Sequence, residues 1–511
     1  MTDMANNSGA SLRSTRRAGR IDLRYVGLFV LVAGLGGVAA IYPIVWLGGL
    51  GLVVGLGLCW ALFRFLRRIG LSLWQVVAVV NLSGYIVLNY GYDNLALHLG
   101  GFPILLAYGM MYGSFALAVY ENWGTAKKIL REPAMLCVLA LLGLTLVHLV
   151  SDIPAYGSWA FRDCTMCLDG VFLLAGMLWA KKTDSQAFLA KWLLILFAAN
   201  MFYVFTMPWS EKIWSWSPES GAFYPVPLFG NFRGAGDWLL VGAMFCICLG
   251  SYVFSRPKWL MTLLVLGQFL GIAITQVRRM YLGIVVVILI LVAVGEIKKF
   301  GKLLIQVPIA IAVLALATTV GGLQISGRVG PVNLEFFKDH IRSLTGAEDT
   351  PGSDPQTRLI MGRQALQHFY AHPIFGEGFG QPVVEVMDEE TGTVTRTPHN
   401  STICYLARLG SLGFIFWIAF HFCLCSTFVQ AYRQRRSYDR QTYMFILWFF
   451  LFYVLFMMSS LVESPFEYPA KAIPFYFLMG LALGIMRWHL SPKAKQELRL
   501  TPLPVDERAY R

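Results

Sequence analysis

Residues 259–295 have the sequence WLMTLLVLGQFLGIAITQVRRMYLGIVVVILILVAVG, and this stretch decides the fold class. It contains two apolar runs, at 259–276 and 281–295, separated by the pair Arg278-Arg279. A helix that crosses a bilayer needs about 20 mainly apolar residues. Neither run alternates between apolar and polar residues as a membrane β-strand would. The stretch therefore predicts two consecutive membrane-spanning helices, of which the second is short.

Similar apolar runs occupy most of the chain, from Tyr25 to Trp488. Only 14% of the 511 residues are charged, against about 25% in soluble domains, and the mean hydropathy is +0.59. The candidate spans lie at 25–41, 43–63, 72–91, 101–120, 134–150, 163–180, 187–206, 234–254, 259–276, 281–295, 303–320, 402–429, 441–460 and 471–488. We expect an all-α integral membrane protein with about 12–14 transmembrane helices.

The net charge of +13 could indicate nucleic-acid binding, but the basic residues lie mainly in short loops between the apolar runs. This distribution is typical of the cytoplasmic loops of membrane proteins, and it leaves no basic domain for nucleic acid. Counting fourteen spans puts a basic loop at every cytoplasmic position, so both termini are expected in the cytoplasm. The predicted organisation is a cytoplasmic tail at 1–24, transmembrane helices at 25–320 with an outer loop at 207–233, a periplasmic lobe at 321–401, transmembrane helices at 402–488 and a cytoplasmic tail at 489–511.

The segment 321–401 differs from the basic loops in charge, with ten Asp and Glu residues against six Lys and Arg. It is too long for a simple connection, so we expect a small extracytoplasmic helical lobe. Its apolar spacing predicts a helix from Arg358 to Tyr370, and a glycine-rich turn follows at 376–380.

The nine cysteines do not predict a metal site. Cys164 and Cys167 form a CxxC pair, but no histidine cluster stands beside it. Most of the others lie in apolar runs, where cysteine acts as a small hydrophobic residue.

Arg278 and Arg279 lie at the outer membrane face in the predicted topology, away from the basic loops. Arginine inside an apolar region usually faces a protein interior or a water-filled cavity, and its planar fork matches phosphate oxygens. The alternative is a side chain that merely reaches water at the interface. Arg233, in a glycine-rich segment at the same predicted level, adds to a possible anion site.

Further candidate residues lie at the same face. His399 and Asn400 stand where the lobe returns to the membrane, and an imidazole there could accept a hydroxyl proton near neutral pH. Glu463 and Glu467 form an acidic turn that either binds sugar hydroxyls or is simply solvated, and the solvated interpretation is favoured.

Several motifs together resemble the bacterial O-antigen ligase/polymerase family. They are RLIMGRQAL at 358–366, HPIFGEGFG at 372–380, HN at 399–400, GSLGF at 410–414 and, with Val277 in place of a serine, TQVR at 275–278. Arg233-Gly234 is similar to an upstream element of the family.

The resemblance implies a membrane-embedded glycosyltransferase of the bacterial inner membrane, active at the periplasmic face in lipopolysaccharide or exopolysaccharide biosynthesis. Its donor would be a glycan on undecaprenyl diphosphate, and its acceptor a lipid A-core sugar in a ligase or a lipid-linked repeat unit in a polymerase. It implies no metal, cofactor or nucleotide sugar. The diphosphate would be bound by Arg278, Arg279, Arg233 and Arg358, the hydroxyl would be activated by His399, and the glycan would be bound by Asn400 and Glu463.

Two other functions remain open. A flippase or transporter of lipid-linked sugars would need charged or broken helices near the bilayer centre and commonly an internal repeat, and neither is clear in the sequence. A non-catalytic assembly protein would not need arginines and a histidine at one face.

The predicted topology places Asp349 in the periplasm. A cysteine introduced at Asp349 should therefore react with a membrane-impermeant thiol reagent in cells whose inner membrane is intact. Labelling only after that membrane is opened would refute the topology.

Overall fold

A computed structural model describes most of the chain between Gly70 and Trp488. The described residues are 70–99, 102–181, 183–221, 225–232, 234–253, 258–297, 301, 312, 327–328, 330, 332, 355–387 and 394–488. The spans predicted at 25–41, 43–63 and 303–320 lie outside them, as do both predicted tails.

The regular structure of these residues is predominantly helical. The helices are α1 (Leu73–Val87), α2 (Tyr90–Asp93), α3 (Leu106–Glu121), α4 (Trp123–Ile129), α5 (Pro133–Tyr156), α6 (Ser158–Leu168), α7 (Phe172–Ala180), α8 (Thr183–Phe205), α9 (Ser210–Trp216), α10 (Ala235–Val253), α11 (Lys258–Thr275), α12 (Arg278–Ala293), α13 (Pro355–Ala371), α14 (Ser401–Arg433), α15 (Arg440–Ser460) and α16 (Pro469–Trp488). The strands of the described residues form short antiparallel pairs: β1 (Ala96–Leu99) with β2 (Phe102–Leu105), β3 (Glu219–Ser220) with β4 (Val226–Pro227), and β5 (Val386–Met387) with β6 (Val394–Thr395).

Seven segments of the described residues are long and apolar enough to cross a membrane. They are Pro133–Tyr156, Ser158–Ala180, Ala187–Phe205, Ala235–Val253, Ser401–Arg433, Arg440–Ser460 and Pro469–Trp488. The protein is thus an all-α, multi-pass integral membrane protein, as the sequence predicts. The short run at 281–295 is helical as α12, whereas the span predicted at 101–120 starts later because Phe102–Leu105 pairs with Ala96–Leu99.

The chain divides into two compact units, each built from two separate stretches. The first unit comprises Met1–Met111 and Gln186–Ala347, and the second comprises Tyr112–Ser185 and Glu348–Arg511. The segment 321–401, predicted as one lobe, contributes described residues to both units.

Close contact between helices in the first unit depends on small residues. Gly242 of α10 faces α8 and α11, where a Cβ atom would lie 2.8 Å from the Phe197 Cβ atom and 3.0 Å from the Gln268 Nε2 atom. The same Gln268 amide donates to the Phe197 carbonyl at 2.9 Å. Small side chains and buried amide hydrogen bonds hold helices together in lipid, where apolar burial alone gives no advantage.

Helix α16 forms the centre of the second unit, because every residue from Pro469 to Met486 is buried. It crosses α7 at two glycines that face each other. A Cβ atom on Gly176 would lie 1.9 Å from the Phe477 carbonyl oxygen, and one on Gly480 would lie 1.9 Å from the Leu173 carbonyl oxygen. Larger side chains at either glycine would force the two helices apart.

Helix α14 is broken at Gly410, where the backbone is left-handed with φ of 61°. The amides of Ser411 and Leu412 donate instead to the carbonyls of 373 and 374, at 2.8 and 3.1 Å. The carbonyls of 407 and 408 accept from the amides of Glu377 and Gly378, both at 2.9 Å. The segment 373–378 thus supplies hydrogen-bond partners for four backbone groups at the break, as a buried backbone requires. The sequence did not reveal this break, because a glycine in an apolar run does not indicate such an exchange of hydrogen bonds.

Substitution at this break should destabilise the protein. In Gly410→Ala the left-handed backbone costs about 1–2 kcal/mol, and the new Cβ atom would lie 2.4 Å from the Ile374 carbonyl oxygen. We expect a lower Tm in detergent.

Gly143→Ala is the matched control, since Gly143 lies inside α5 with nothing within 4 Å of the added Cβ atom. It should leave the Tm unchanged or raise it, because alanine favours a helix interior by about 0.5–1 kcal/mol. A Gly410→Ala protein that melts like wild type would contradict the role given to the break.

Candidate functional site

The predicted site residues fall into the two units, each of which is described by itself. Arg278 and Arg279 belong to the first unit. The second unit contains Arg358, His399, Asn400 and Glu463. Arg233 lies outside the described residues.

In the first unit, a left-handed residue separates α11 from α12. Gln276 has φ of 54°, Val277 is extended, and Arg278 is the first residue of α12. The Gln276 side chain donates from its Nε2 atom to the Gly330 carbonyl at 3.1 Å. A Cβ atom on Gly327 would lie 2.6 Å from the Gln276 Cδ atom, so only glycine leaves room there. Gly327 and Gly330 thus contact the junction that precedes the helix of Arg278.

Arg279 forms a two-pronged ion pair with Asp237. Its Nη2 atom lies 2.7 Å from Oδ1 and 3.0 Å from Oδ2, and its Nε atom lies 2.9 Å from Oδ1. Asp237 is in the first turn of α10, where the helix dipole also favours a negative charge. Asp237 therefore fixes the orientation of the Arg279 guanidinium within the first unit.

In the second unit, His399 also has a left-handed backbone, with φ of 50°. Among the described residues other than glycine, only His399, Asn89 and Gln276 have a positive φ. Histidine adopts this conformation more readily than most residues, and such strain concentrates at functional sites. In both candidate segments, a residue with positive φ therefore precedes the N-cap of a helix.

Asn400 fixes the start of α14. Its Oδ1 atom accepts from the Ile403 amide at 3.1 Å, which makes it the N-cap of the helix. Its Nδ2 atom donates to the Leu461 carbonyl at 3.0 Å. Both groups of this side chain contact the protein, and its predicted glycan binding stays a prediction.

Arg358 lies near the same end of α14 as His399. The predicted helix 358–370 is α13, and its Gly362 packs against α14, where a Cβ atom would lie 3.6 Å from the Ile403 Cδ1 atom. Just beyond α13, the Pro373 carbonyl accepts a hydrogen bond from the Ser411 amide. The two helices therefore run in the same direction, and their first turns lie at one end. Arg358 is exposed there, on the turn before Gly362.

The glycine-rich turn is fastened to α5 and α6 as well as to α14. The Phe379 amide donates to Asp152 Oδ2 at 2.7 Å, and the Gly380 amide donates to Asp163 Oδ2 at 3.2 Å. Gly378 has φ of 89°, and a Cβ atom there would lie 2.4 Å from Asp152 Oδ2. The turn can approach the carboxylates only because this position has no side chain.

Asp163 and Arg408 form a buried ion pair that the sequence analysis missed. The Arg408 Nη2 atom lies 2.9 Å from Asp163 Oδ2, and the two side chains are 0% and 4% exposed, respectively. Arg408 also donates to the carbonyls of Gly378 and Gln381, both at 3.3 Å. A charged residue within a predicted span is by default a candidate for function, and Arg408 within 402–429 was that signal.

Arg396 is a second partner of the same carboxylate. Its Nη2 atom lies 2.6 Å from the Gly380 carbonyl and 3.4 Å from Asp163 Oδ2. Its Cζ atom lies 4.1 Å from the ring centre of Trp159, a cation–π contact. Burial lowers the pKa of Arg396, and the nearby Asp163 carboxylate offsets part of this effect.

The acidic turn after α15 is not solvated as favoured above. Glu463 pairs with Lys471 at 2.6 Å, and its side chain is 26% exposed. The Oε1 atom of Glu467 is buried without a hydrogen-bond partner, and burial raises the pKa of this carboxyl while Arg408 lowers it. Side chains that are distant in sequence cover the turn, which local composition does not reveal.

The described residues contain no group of three or more His, Cys, Asp or Glu side chains that could hold a metal ion. The CxxC cysteines Cys164 and Cys167 are buried in α6, and neither forms a disulfide. They fill the interior as small apolar side chains.

Comparison with known families supports the resemblance seen in the sequence. Residues 263–418 match the family model described as O-antigen ligase. The chain contains an O-antigen ligase family domain. The match begins within α11 and ends within α14, so this domain includes Arg278, Arg358, the glycine-rich turn and His399. No curated protein matches the chain.

Not all residues described above lie in the O-antigen ligase domain. Asp152, Asp163 and Glu463 are outside it, although the first two bind its glycine-rich turn. The family match supports a general role as a membrane glycan ligase or polymerase.

The two carboxylates of the acidic turn should respond differently to substitution. Because burial raises the pKa of Glu467, its contribution to stability is complete at low pH and is lost as the pH rises through the folded-state pKa. As the pH rises from about 5 to about 8, the Tm of Glu467→Gln should therefore fall less than the Tm of the wild-type protein.

Glu463→Gln, on the same turn, is the control. It removes the ion pair with the largely buried Lys471, so it should lower the Tm across the whole range. Identical pH profiles for Glu467→Gln and wild type would contradict the effect assigned to burial.

Proposed function

We propose that this protein is a membrane-embedded glycosyltransferase. It transfers a glycan from undecaprenyl diphosphate to an acceptor sugar hydroxyl at the periplasmic face of the bacterial inner membrane, in lipopolysaccharide or exopolysaccharide biosynthesis. The acceptor is a lipid A-core sugar in a ligase or a lipid-linked repeat unit in a polymerase. One observation carries the proposal. In the O-antigen ligase domain, Arg278 starts a helix shortly after Gln276, which has a positive φ, and His399, which also has a positive φ, lies just before the start of α14.

Arg278 binds the diphosphate of the donor in this proposal. It is the first residue of α12, so its guanidinium adds to the amide groups and positive dipole end of the helix. These charges stabilise the lipid diphosphate as it gains negative charge in the transition state. Arg279, which Asp237 orients, Arg233 and the exposed Arg358 complete the proposed phosphate contacts.

His399 acts on the acceptor. The hydroxyl oxygen attacks the anomeric carbon, the bond from this carbon to the phosphate oxygen breaks, and the diphosphate leaves with the electron pair. The hydroxyl proton passes to the imidazole. A diphosphate leaves near neutral pH without needing a proton, so a base for the hydroxyl is the more useful group, worth about 10²–10⁴-fold.

Asn400 and Glu463 bind the glycan in this proposal. The Asn400 amide lies beside His399 and bonds to Leu461, which places the turn with Glu463 near the start of α14. The partly exposed Glu463 carboxylate can accept hydrogen bonds from sugar hydroxyls while Lys471 neutralises its charge.

A lipid-linked sugar flippase is the alternative, and the broken helix α14 is the feature that favours it. In such transporters the open backbone groups of the break bind the substrate. Here the groups of 407, 408, 411 and 412 are bonded to the segment 373–378. The break therefore supports the glycine-rich turn, which fits an enzyme better.

The experiment compares Arg278→Ala, Arg278→Lys and His399→Ala in proteoliposomes supplied with a lipid-linked donor and an acceptor. Arg278→Ala should nearly abolish transfer and weaken donor binding, and Arg278→Lys should restore little because lysine lacks the planar fork. His399→Ala should lower the single-turnover rate by about 10²–10⁴-fold while leaving donor affinity largely intact.

Arg436→Ala, which removes an exposed arginine after α14, is the control and should behave as wild type. Wild-type turnover in folded Arg278→Ala or His399→Ala would refute the corresponding role. If Arg278→Ala and His399→Ala lost donor affinity equally, the assignment of Arg278 to the donor and His399 to the acceptor would be refuted. Movement of the donor across the bilayer without glycosidic bond formation would favour the flippase.

A further inference from the structure

The left-handed backbone of His399 has to be held by its surroundings. A non-glycine residue leaves this conformation unless neighbouring contacts fix the chain on both sides. On the C-terminal side, Asn400 supplies these contacts through the Ile403 amide and the Leu461 carbonyl. The N-terminal side needs an equivalent anchor.

Arg396 is a candidate for that anchor, because it lies shortly before His399 and both its side chain and its backbone are bonded. Its guanidinium bonds to the Gly380 carbonyl at 2.6 Å and lies against Trp159. Its own carbonyl accepts from the Val383 amide at 3.2 Å. Side chain and backbone of Arg396 are thus both attached to other parts of the second unit.

The link from Arg396 to His399 is short and stiff. It consists of Thr397 and Pro398, both of which are buried. Proline fixes its own φ and restricts the residue before it, so few backbone angles can change within this link. A displacement of Arg396 must therefore displace His399.

Asp163 joins this anchor to the rest of the unit. Its Oδ2 atom lies 3.4 Å from the Arg396 Nη2 atom and 2.9 Å from the Arg408 Nη2 atom, and it accepts a hydrogen bond from the Gly380 amide at 3.2 Å. Helix α6, the glycine-rich turn, α14 and the segment before His399 thus meet at one carboxylate. Neither Arg396 nor Asp163 is needed for the chemistry proposed above.

We propose that Arg396 and Asp163 are positioning residues that hold the His399 imidazole where it can accept the proton of the acceptor hydroxyl. This inference rests on the proposed function, since it acts through His399. Displacing a catalytic group by about 1 Å can reduce the rate by about 10²-fold.

The test is a double-mutant cycle on the full-length protein in proteoliposomes. Arg396→Gln is made in wild type and in His399→Ala, and single-turnover rates are measured with saturating lipid-linked donor. In wild type, Arg396→Gln should lower the rate by about 10²-fold without changing donor affinity. In His399→Ala it should have less than about a twofold effect, because two residues that act through one group are not additive.

Arg162→Gln is the matched control. Arg162 also faces Asp163, at 3.7 Å, and lies over Trp159, at 5.2 Å, but it is not part of the segment that leads to His399. Its substitution removes the same charge from the same neighbourhood, and it should change the rate by less than about twofold in either background.

Three outcomes would overturn the proposal: a wild-type rate in Arg396→Gln, equal fold losses in both backgrounds, or an equal loss in Arg162→Gln. Full activity of His399→Ala itself would instead refute the proposed role of His399, so the two failures are distinguishable. If Arg396→Gln does not elute as a folded protein, Arg396→Lys replaces it. Lysine keeps the charge that faces Asp163 but lacks the planar guanidinium, and the same dependence on His399 is expected.

Discussion

The second unit depends on the ion pair between Asp163 and Arg408. Removing two charges from water is costly, and a buried pair is tolerated only where its remaining hydrogen-bonding groups are also satisfied. Asp163 meets this condition with Arg396 and the Gly380 amide. Arg408 meets it in part, because it donates to two carbonyls near the glycine-rich turn while its buried Nε atom has no hydrogen-bond partner among the described residues. The constraint is strict, because removing any partner would leave charge exposed to the interior. It fixes the positions of α6, the turn and α14 relative to each other.

The same part of the molecule shows why the glycine-rich turn has its sequence. Helix α14 could be continuous only if Gly410 were helical, and its left-handed conformation frees four backbone groups. The segment 373–378 bonds to these groups, and the turn that follows reaches Asp152 and Asp163 with its amides. Side chains at Gly376 and Gly378 would meet backbone and carboxylate atoms. Packing therefore explains the glycines at these two positions of the turn.

Strained backbone marks both candidate segments in the same way. Gln276 and His399 are left-handed, each adjoins the start of a helix, and the fold holds each by side-chain and backbone contacts from distant residues. In the first unit the support comes from Gly327 and Gly330, and in the second from the anchors on both sides of His399. Such support lets a polar group at a helix start keep a fixed direction, which is what binding a diphosphate or activating a hydroxyl requires.

The sequence by itself determined the helical membrane fold, since lipid demands long apolar helices and the described helices begin within about five residues of the predicted spans. It also indicated the O-antigen ligase domain, because the motifs around Arg278, Arg358 and His399 that suggested it lie within the matched residues 263–418. Only the tertiary structure decided which charges are paired. Arg279 with Asp237, Arg408 with Asp163 and the buried Glu467 depend on residues brought together from separate helices. Hydropathy is read along the chain, whereas an ion pair or a broken helix is satisfied across space, by partners up to 245 residues away.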